Sequence, residues 1–180
     1  MVRNILSKYL NGSSILVSGL LLTVFSFLLT GCFEDNTDET ALQGQEAFNK
    51  QLEIDTLLIE QYLVDNNITN VKKTAGVIWY TEQTVGVGAQ AQVGNRVKVN
   101  YALSLLNGTA LESGPYIFTL GSSGRDGAIP GFDLGVRTMK VGGKSRFYIP
   151  SGLAYGTTGS GTKIAPNTIL IFDIELLEAL

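Results

Sequence analysis

Aromatic rings, rather than acids, bases or thiols, are the chemical resource of this sequence. Tyr101, Tyr116, Phe118, Phe132, Tyr148, Tyr155 and Phe172 are spread through its C-terminal part. Rings drawn from many elements are what a single apolar concavity needs, although they serve an ordinary core equally well. Histidine is absent and cysteine occurs once, at Cys32. Imidazole acid–base chemistry, His triads, Cys/His zinc sites and an intrachain disulfide are therefore excluded. From Val71 onward the carboxylates are Glu82, Glu112, Asp126, Asp133, Asp173, Glu175 and Glu178, and none pair at metal-ligand spacing. Asp173 and Glu175 fall opposite Leu170, Phe172, Ile174 and Leu176, as residues of a solvated strand face do. What remains is chemistry by carboxylates, hydroxyls, backbone groups or an apolar cavity, with no metal or cofactor expected.

Two glycine-rich segments invite a phosphate-binding reading and fail it. Gly156 to Lys163 runs Gly-Thr-Lys toward Pro166 and a strand, whereas a P-loop needs Gly-Lys-Ser/Thr directly before a helix. Gly121 to Gly127 lacks the strand–turn–helix context of a dinucleotide site. Charge is divided unevenly: Cys32 to Asn70 holds nine acids and one base, Val71 to Leu180 ten bases and seven acids. Neither part has a dense basic block, so no nucleic-acid partner is expected.

The elements that must position these residues can be read from periodicity. The 180 residues suffice for one domain with accessory segments. Arg3 and Lys8, the uncharged run Ile15 to Leu29, and the small residues before Cys32 have the order of a secretory leader over 1–31. Residues 32–44, acidic and poor in packing side chains, read as a flexible tether. From Gln45 to Asn66 neither Gly nor Pro occurs, and Phe48, Leu52, Ile59 and Leu63 recur at helical spacing with Leu58 and Tyr62 beside them. This predicts an amphipathic helix over 45–66, followed by a turn at Asn66-Asn67 and Asn70, with the domain proper over 71–180. The helix packs on the domain, or holds a client or a second copy of the chain.

Beyond Val71 the period changes to two. Strands are predicted at Val77–Thr81, Arg96–Leu105, Tyr116–Leu120, Lys144–Ile149 and Thr168–Leu176. Asn107-Gly108 supplies a hairpin turn with positive φ angles. Pro130 to Met139 is the short helix, with Pro130 at its first turn. Five antiparallel strands with one short helix on one face make an α+β fold, preceded by the N-terminal amphipathic helix.

Two resemblances add to this reading. Leu29-Thr30-Gly31-Cys32 resembles the lipobox of bacterial lipoproteins. That likeness implies a lipid on Cys32, cleavage before it, and anchoring in the bacterial cell envelope, at the outer membrane on its periplasmic or surface face; Phe33, not Asp, follows the cysteine. The second lies in the order of several motifs: Val97-Lys98-Val99-Asn100-Tyr101, Asn107 to Ser113, Ile129-Pro130-Gly131-Phe132 with Met139, Val141 to Lys144, Ile149-Pro150 through Tyr155-Gly156, and Leu170 to Leu177. Together they resemble the FKBP-type peptidyl-prolyl isomerases over about residues 75 to 180. The resemblance implies a bent sheet wrapped over the short helix and an apolar cleft between them that receives a proline ring. Carried over by position, Phe132 is the cleft floor, where most members have Trp, and Tyr101, Tyr116 and Phe172 are walls. Ile129 contributes an apolar side chain and a backbone N–H, Tyr155 a hydroxyl for the substrate carbonyl, and Ile164 an apolar lip. Glu112 stands at a site position where Asp is usual, Leu111 at a binding position where Phe is usual, and Lys163 replaces a usual hydrophobe. The function so implied is isomerisation of Xaa–Pro bonds in exported proteins; a proline-peptide-binding or holdase module with little turnover is the other reading.

Overall fold

The computed structural model describes residues 36–74, 77–124 and 128–180. Helix α1 spans Asn36–Asp65, and strands β1 Lys72–Thr74, β2 Ile78–Thr84, β3 Arg96–Leu105 and β4 Ala110–Thr119 follow. Next come helix α2 Pro130–Val136, strand β5 Lys144–Ile149, a 3-10 turn at Ser151–Leu153 and strand β6 Leu170–Ala179. The strands form one antiparallel sheet in the order β1-β2-β5-β6-β3-β4. The α+β class and the N-terminal helix are as the sequence implies. A sixth strand, β1, joins the five expected: it is three residues long, lies at the sheet edge and carries Lys72 and Lys73, so it lacks an apolar alternation to announce it.

Alternation along β3 sends Val97, Val99 and Leu103 to the inner face, where they pack with Phe118, Phe147, Leu170, Phe172, Ile174 and Leu176 against Phe132 and Val136 of α2. Residues of the opposite parity on the central strands face α1. Trp79, Tyr148, Ile169 and Ile171 form a second cluster with Ile59 and Leu63 of that helix. Strands covered on both sides read as continuous apolar runs, which is why Phe147-Tyr148-Ile149 and Leu170-Ile171-Phe172 are apolar without interruption. Register shifts on β3, one against β6 and one against β4, bend the sheet around α2.

Helix α1 begins at Asn36 rather than Gln45, so residues 36–44, read from sequence as part of the tether, continue the helix. Once a helix exists, each added turn costs little, and side-chain bonds four residues apart run along this one from Gln45 to Asn49, Gln51 to Asp55 and Gln61 to Asp65. Leu58 lies off the packed face and stays exposed. The helix ends in left-handed Asn67 and Asn70. Strand β4 starts at Ala110, earlier than Tyr116, because as an edge strand it tolerates Gly114 and Pro115. At the β3–β4 hairpin Gly108 has a φ of 85° while Asn107 does not enter the positive region, and the Asn107 side chain accepts the Thr109 N–H instead. Helix α2 closes at Val136, three residues short of Met139. No helix among the described residues is long and apolar enough to cross a membrane. Residues 1–31, over which a leader is expected, and Cys32 lie outside the described residues.

Candidate functional site

The short helix α2 owes its place to two local features. Gly131 faces β5 so closely that a Cβ would stand 2.2 Å from Ile149 Cγ2. Asp133 is fully buried and accepts hydrogen bonds from the Gly121 N–H, the Ser123 hydroxyl and both arms of the Arg137 guanidinium, the last two at 2.8 Å. Burial alone pushes the Asp133 carboxyl up, but Arg137 and the other donors hold it below the usual carboxylate range. The clamp ties α2 to the chain leaving β4 and so fixes Phe132 and Ile129.

Phe132 is the centre of a ring cluster. Its centroid lies 5.0 Å from Phe172 of β6, 5.8 Å from Tyr101 of β3 and 6.1 Å from Tyr116 of β4, all three in edge or tilted geometry. Phe118 closes the cluster beneath at 5.4 Å. The rings leave a cavity of about 370 Å³ above them, lined also by Ala128, Ile129, Glu112 and Tyr155. Ile129 precedes α2 with extended backbone, and its carbonyl accepts the Phe132 and Asp133 N–H groups; among the described residues no acceptor takes its own N–H.

Polar groups at the rim are few. The Tyr101 hydroxyl donates to Glu112 Oε1 at 2.9 Å. Burial, then this bond to a carboxylate, pushes the Tyr101 phenol up to about 12. Burial and the Glu112 charge raise that of Tyr155 as well. Both phenols are thus neutral donors across the ordinary pH range. Tyr155 lies just after the 3-10 turn, half-buried, with its ring in the cavity wall.

Tyr101, Glu112, Tyr116, Ile129, Phe132, Tyr155 and Phe172 are brought together as the sequence implies. Leu111 and Ile164 are not in this cavity. They line an adjoining one of about 330 Å³ with Leu103, Thr162 and Lys163, which shares Glu112 and Tyr155 with the first. The physical reason lies in β4: Leu103 pairs with Glu112 and Ser104 with Ala110, leaving Leu111 as the bulged residue. A bulge lets neighbours that would face opposite ways turn to one side. Ile164 is held beside Leu111 by mutual backbone bonds with Ser160. Ala128 is a wall residue the sequence did not disclose, because a small side chain before a helix carries no pattern of its own.

Compared with known proteins, residues 88–177 match the family profile described as FKBP-type peptidyl-prolyl cis-trans isomerase. The chain is 38% identical over 125 residues to a probable FKBP-type peptidyl-prolyl cis-trans isomerase FkpA of Neisseria meningitidis, an alignment covering 66% of this chain and 44% of that protein. It is 39% identical over 124 residues to the FkpA of Aeromonas hydrophila, with the same two coverages of 66% and 44%. The chain thus spans less than half the length of these curated relatives. Among solved structures, a peptidyl-prolyl cis-trans isomerase from Pseudomonas syringae superposes with a TM-score of 0.59 at 31% identity, over 73% of this chain and 94% of that one. FkpA of Escherichia coli also gives 0.59, at 29% identity over 82% of this chain and 74% of that one.

Proposed function

The chain belongs to the family of FKBP-type peptidyl-prolyl cis-trans isomerases, and from that premise we propose that it rotates Xaa–Pro bonds of folding exported polypeptides in the apolar cleft, without a cofactor. The convergence of Tyr101, Phe132 and Phe172 around one cavity, with Tyr155 and Ile129 also in its wall, carries this reading. The uncatalysed barrier of about 18–20 kcal/mol arises because twisting the amide breaks its resonance. As the bond twists, charge leaves the carbonyl oxygen and returns to nitrogen. A dry aromatic cleft disfavours the planar, more dipolar ground state more than the twisted one, and only such differential stabilisation speeds the reaction. The proline ring packs on Phe132, while the Tyr155 hydroxyl and the Ile129 N–H hold the flanking backbone.

A test is the refolding of a protein whose slow phase is an Xaa–Pro isomerisation, ordinarily about 10–100 s at room temperature. Substoichiometric chain should shorten that phase, and a chain carrying Phe132→Ala with Tyr155→Phe should not. The alternative, a proline-peptide-binding or holdase module with little turnover, is favoured by the exposed Ile54, Leu57 and Leu58 of α1. It predicts an unchanged slow phase with suppressed aggregation. The same exposed side chains support pairing of two copies through residues 45–66, which sedimentation of the chain and a Leu57→Glu variant would test.

Envelope anchoring through a lipid on Cys32 is the remaining part of the proposal, resting on the residues around Cys32. Two or three acyl chains anchor firmly where one holds only marginally. Mass spectrometry of the mature N-terminus should find a lipidated Cys32, and membrane association lost in Cys32→Ser.

A further inference from the structure

Asp55 is a carboxylate on the apolar face of α1, fully buried, four residues before Ile59 and outside the segment that the family profile matches. Among the described residues it forms no ion pair. One of its oxygens accepts two hydrogen bonds from Ser151, from the backbone N–H and from the hydroxyl, each at 2.6 Å, and the other accepts Gln51 Nε2 at 2.8 Å. These bonds cross from α1 to the turn that follows β5, 96 residues away in sequence.

Ser151 passes this anchorage directly to the cleft. Its carbonyl accepts the N–H groups of Ala154 and Gly156, at 2.9 and 2.8 Å, so it grips the chain on either side of Tyr155. The turn has no slack on its flanks. Phe48 of α1 lies over Gly152 so tightly that a Cβ there would stand 2.6 Å from its ring, and the Leu153 carbonyl abuts Gly131 of α2, with 3.1 Å to a Cβ at that position. Tyr155 therefore hangs from a turn held between α1 and the cleft helix, and Asp55 is the α1 side chain that hydrogen-bonds that turn.

We infer that Asp55 is a positioning residue for Tyr155, and that α1 is thereby a working part of the site rather than only a spacer or a docking helix. The inference rests on the reading of Tyr155 as the hydroxyl that holds the substrate backbone. The pair of bonds that Ser151 donates to one oxygen fixes both the height and the rotation of the Ser151 peptide, and a small misplacement of a substrate-holding group is enough to lose rate.

The test uses the full chain and the variants Asp55→Ala, Asp55→Asn and Ser151→Ala, each alone and with Tyr155→Phe. Thermal midpoints identify the variants that fold, and kcat and KM are measured with a proline peptide. Asp55→Ala should lower kcat about tenfold with little change in KM. Asp55→Asn, whose amide oxygen still accepts the Ser151 N–H, should recover most of that loss. In the Tyr155→Phe background Asp55→Ala should cost nothing further, because the group it positions is gone. Losses that multiply, or an undiminished kcat in a folded Asp55→Ala, would overturn the inference. Should Asp55→Ala not fold, Ser151→Ala decides in the same way, by a several-fold loss that vanishes with Tyr155→Phe. Ring resonances of labelled tyrosines give a readout without turnover: Ser151→Ala, and Asp55→Ala where it folds, should move that of Tyr155 and leave those of Tyr101 and Tyr116 in place, while Asp55→Asn should move it less. A wild type without turnover would sink the isomerase reading alone, and the Tyr155 resonance would still decide the positioning; an unmoved resonance would refute it.

Discussion

Phe172 meets Phe132 edge to face, with centroids 5.0 Å apart and ring planes at 73°. The first belongs to the last strand and the second to the short helix, so this contact is where the sheet and the helix together make the cleft floor. Phe132 is only 4% exposed. Phe132→Ala should destabilise the fold by about 3–5 kcal/mol, from lost burial and the cavity left behind. Urea unfolding would measure it, and proline-peptide binding should be lost under conditions where the variant is still folded.

The burial of Tyr101 and its bond to Glu112 have an alkaline signature. In the folded state the Tyr101 phenol keeps its proton up to about 12, against an ordinary value of 10.0. Between these values the folded state binds more protons than the unfolded one, so stability falls as pH rises. The contribution is complete below pH 10 and is lost on approach to pH 12. Tyr101→Phe should flatten that part of a denaturation profile without removing all of it, because burial raises Tyr148 and Tyr155 as well.

Asp133 has the opposite sign. Its folded-state value lies below the ordinary 3.8, so its stabilisation is present above pH 3.8 and lost as pH falls through the lower value. Asp133→Asn removes the partner of Arg137 and should cost about 3 kcal/mol, near the lower end for a buried pair because Arg137 is partly solvated. Thermal midpoints measured downward from neutral pH should converge for the variant and wild type in acid.

Leu111 leaves room where the second cavity adjoins the cleft. Leu111→Phe should fill part of it and extend the wall against which a substrate packs. An added contact worth about 1 kcal/mol in the transition state corresponds to roughly fivefold in kcat/KM, read with proline peptides carrying an apolar residue beside the proline.

Strands β3 and β5 coincide with the sequence reading because alternation in one, and a β-prone apolar run in the other, leave no competing period. The cleft rings were legible through the order of the motifs, since each stands at a fixed place on β3, α2 or β6. That Leu111 faces the adjoining cavity could not be read from the sequence, because a bulge is invisible until two strands are paired and its side is set by the register with Leu103 and Ser104. The start of α1 was misread because Asn36 to Gly44 has no apolar stripe, and its helicity is extended from a helix anchored elsewhere. Asp55 gave one sign, a carboxylate among Leu52, Ile59 and Leu63 on an apolar face; its partner is too far along the chain for any local pattern to name.

The most direct measurement is two-dimensional exchange NMR on a proline peptide with a catalytic amount of the chain. Wild type should produce exchange cross-peaks between the cis and trans forms, at peptide concentrations where the peptide alone shows none. Phe132→Ala with Tyr155→Phe should abolish them. A folded wild type that binds the peptide yet yields no cross-peaks, or cross-peaks of equal intensity in the double variant, would contradict the claim that this aromatic cleft turns the proline bond.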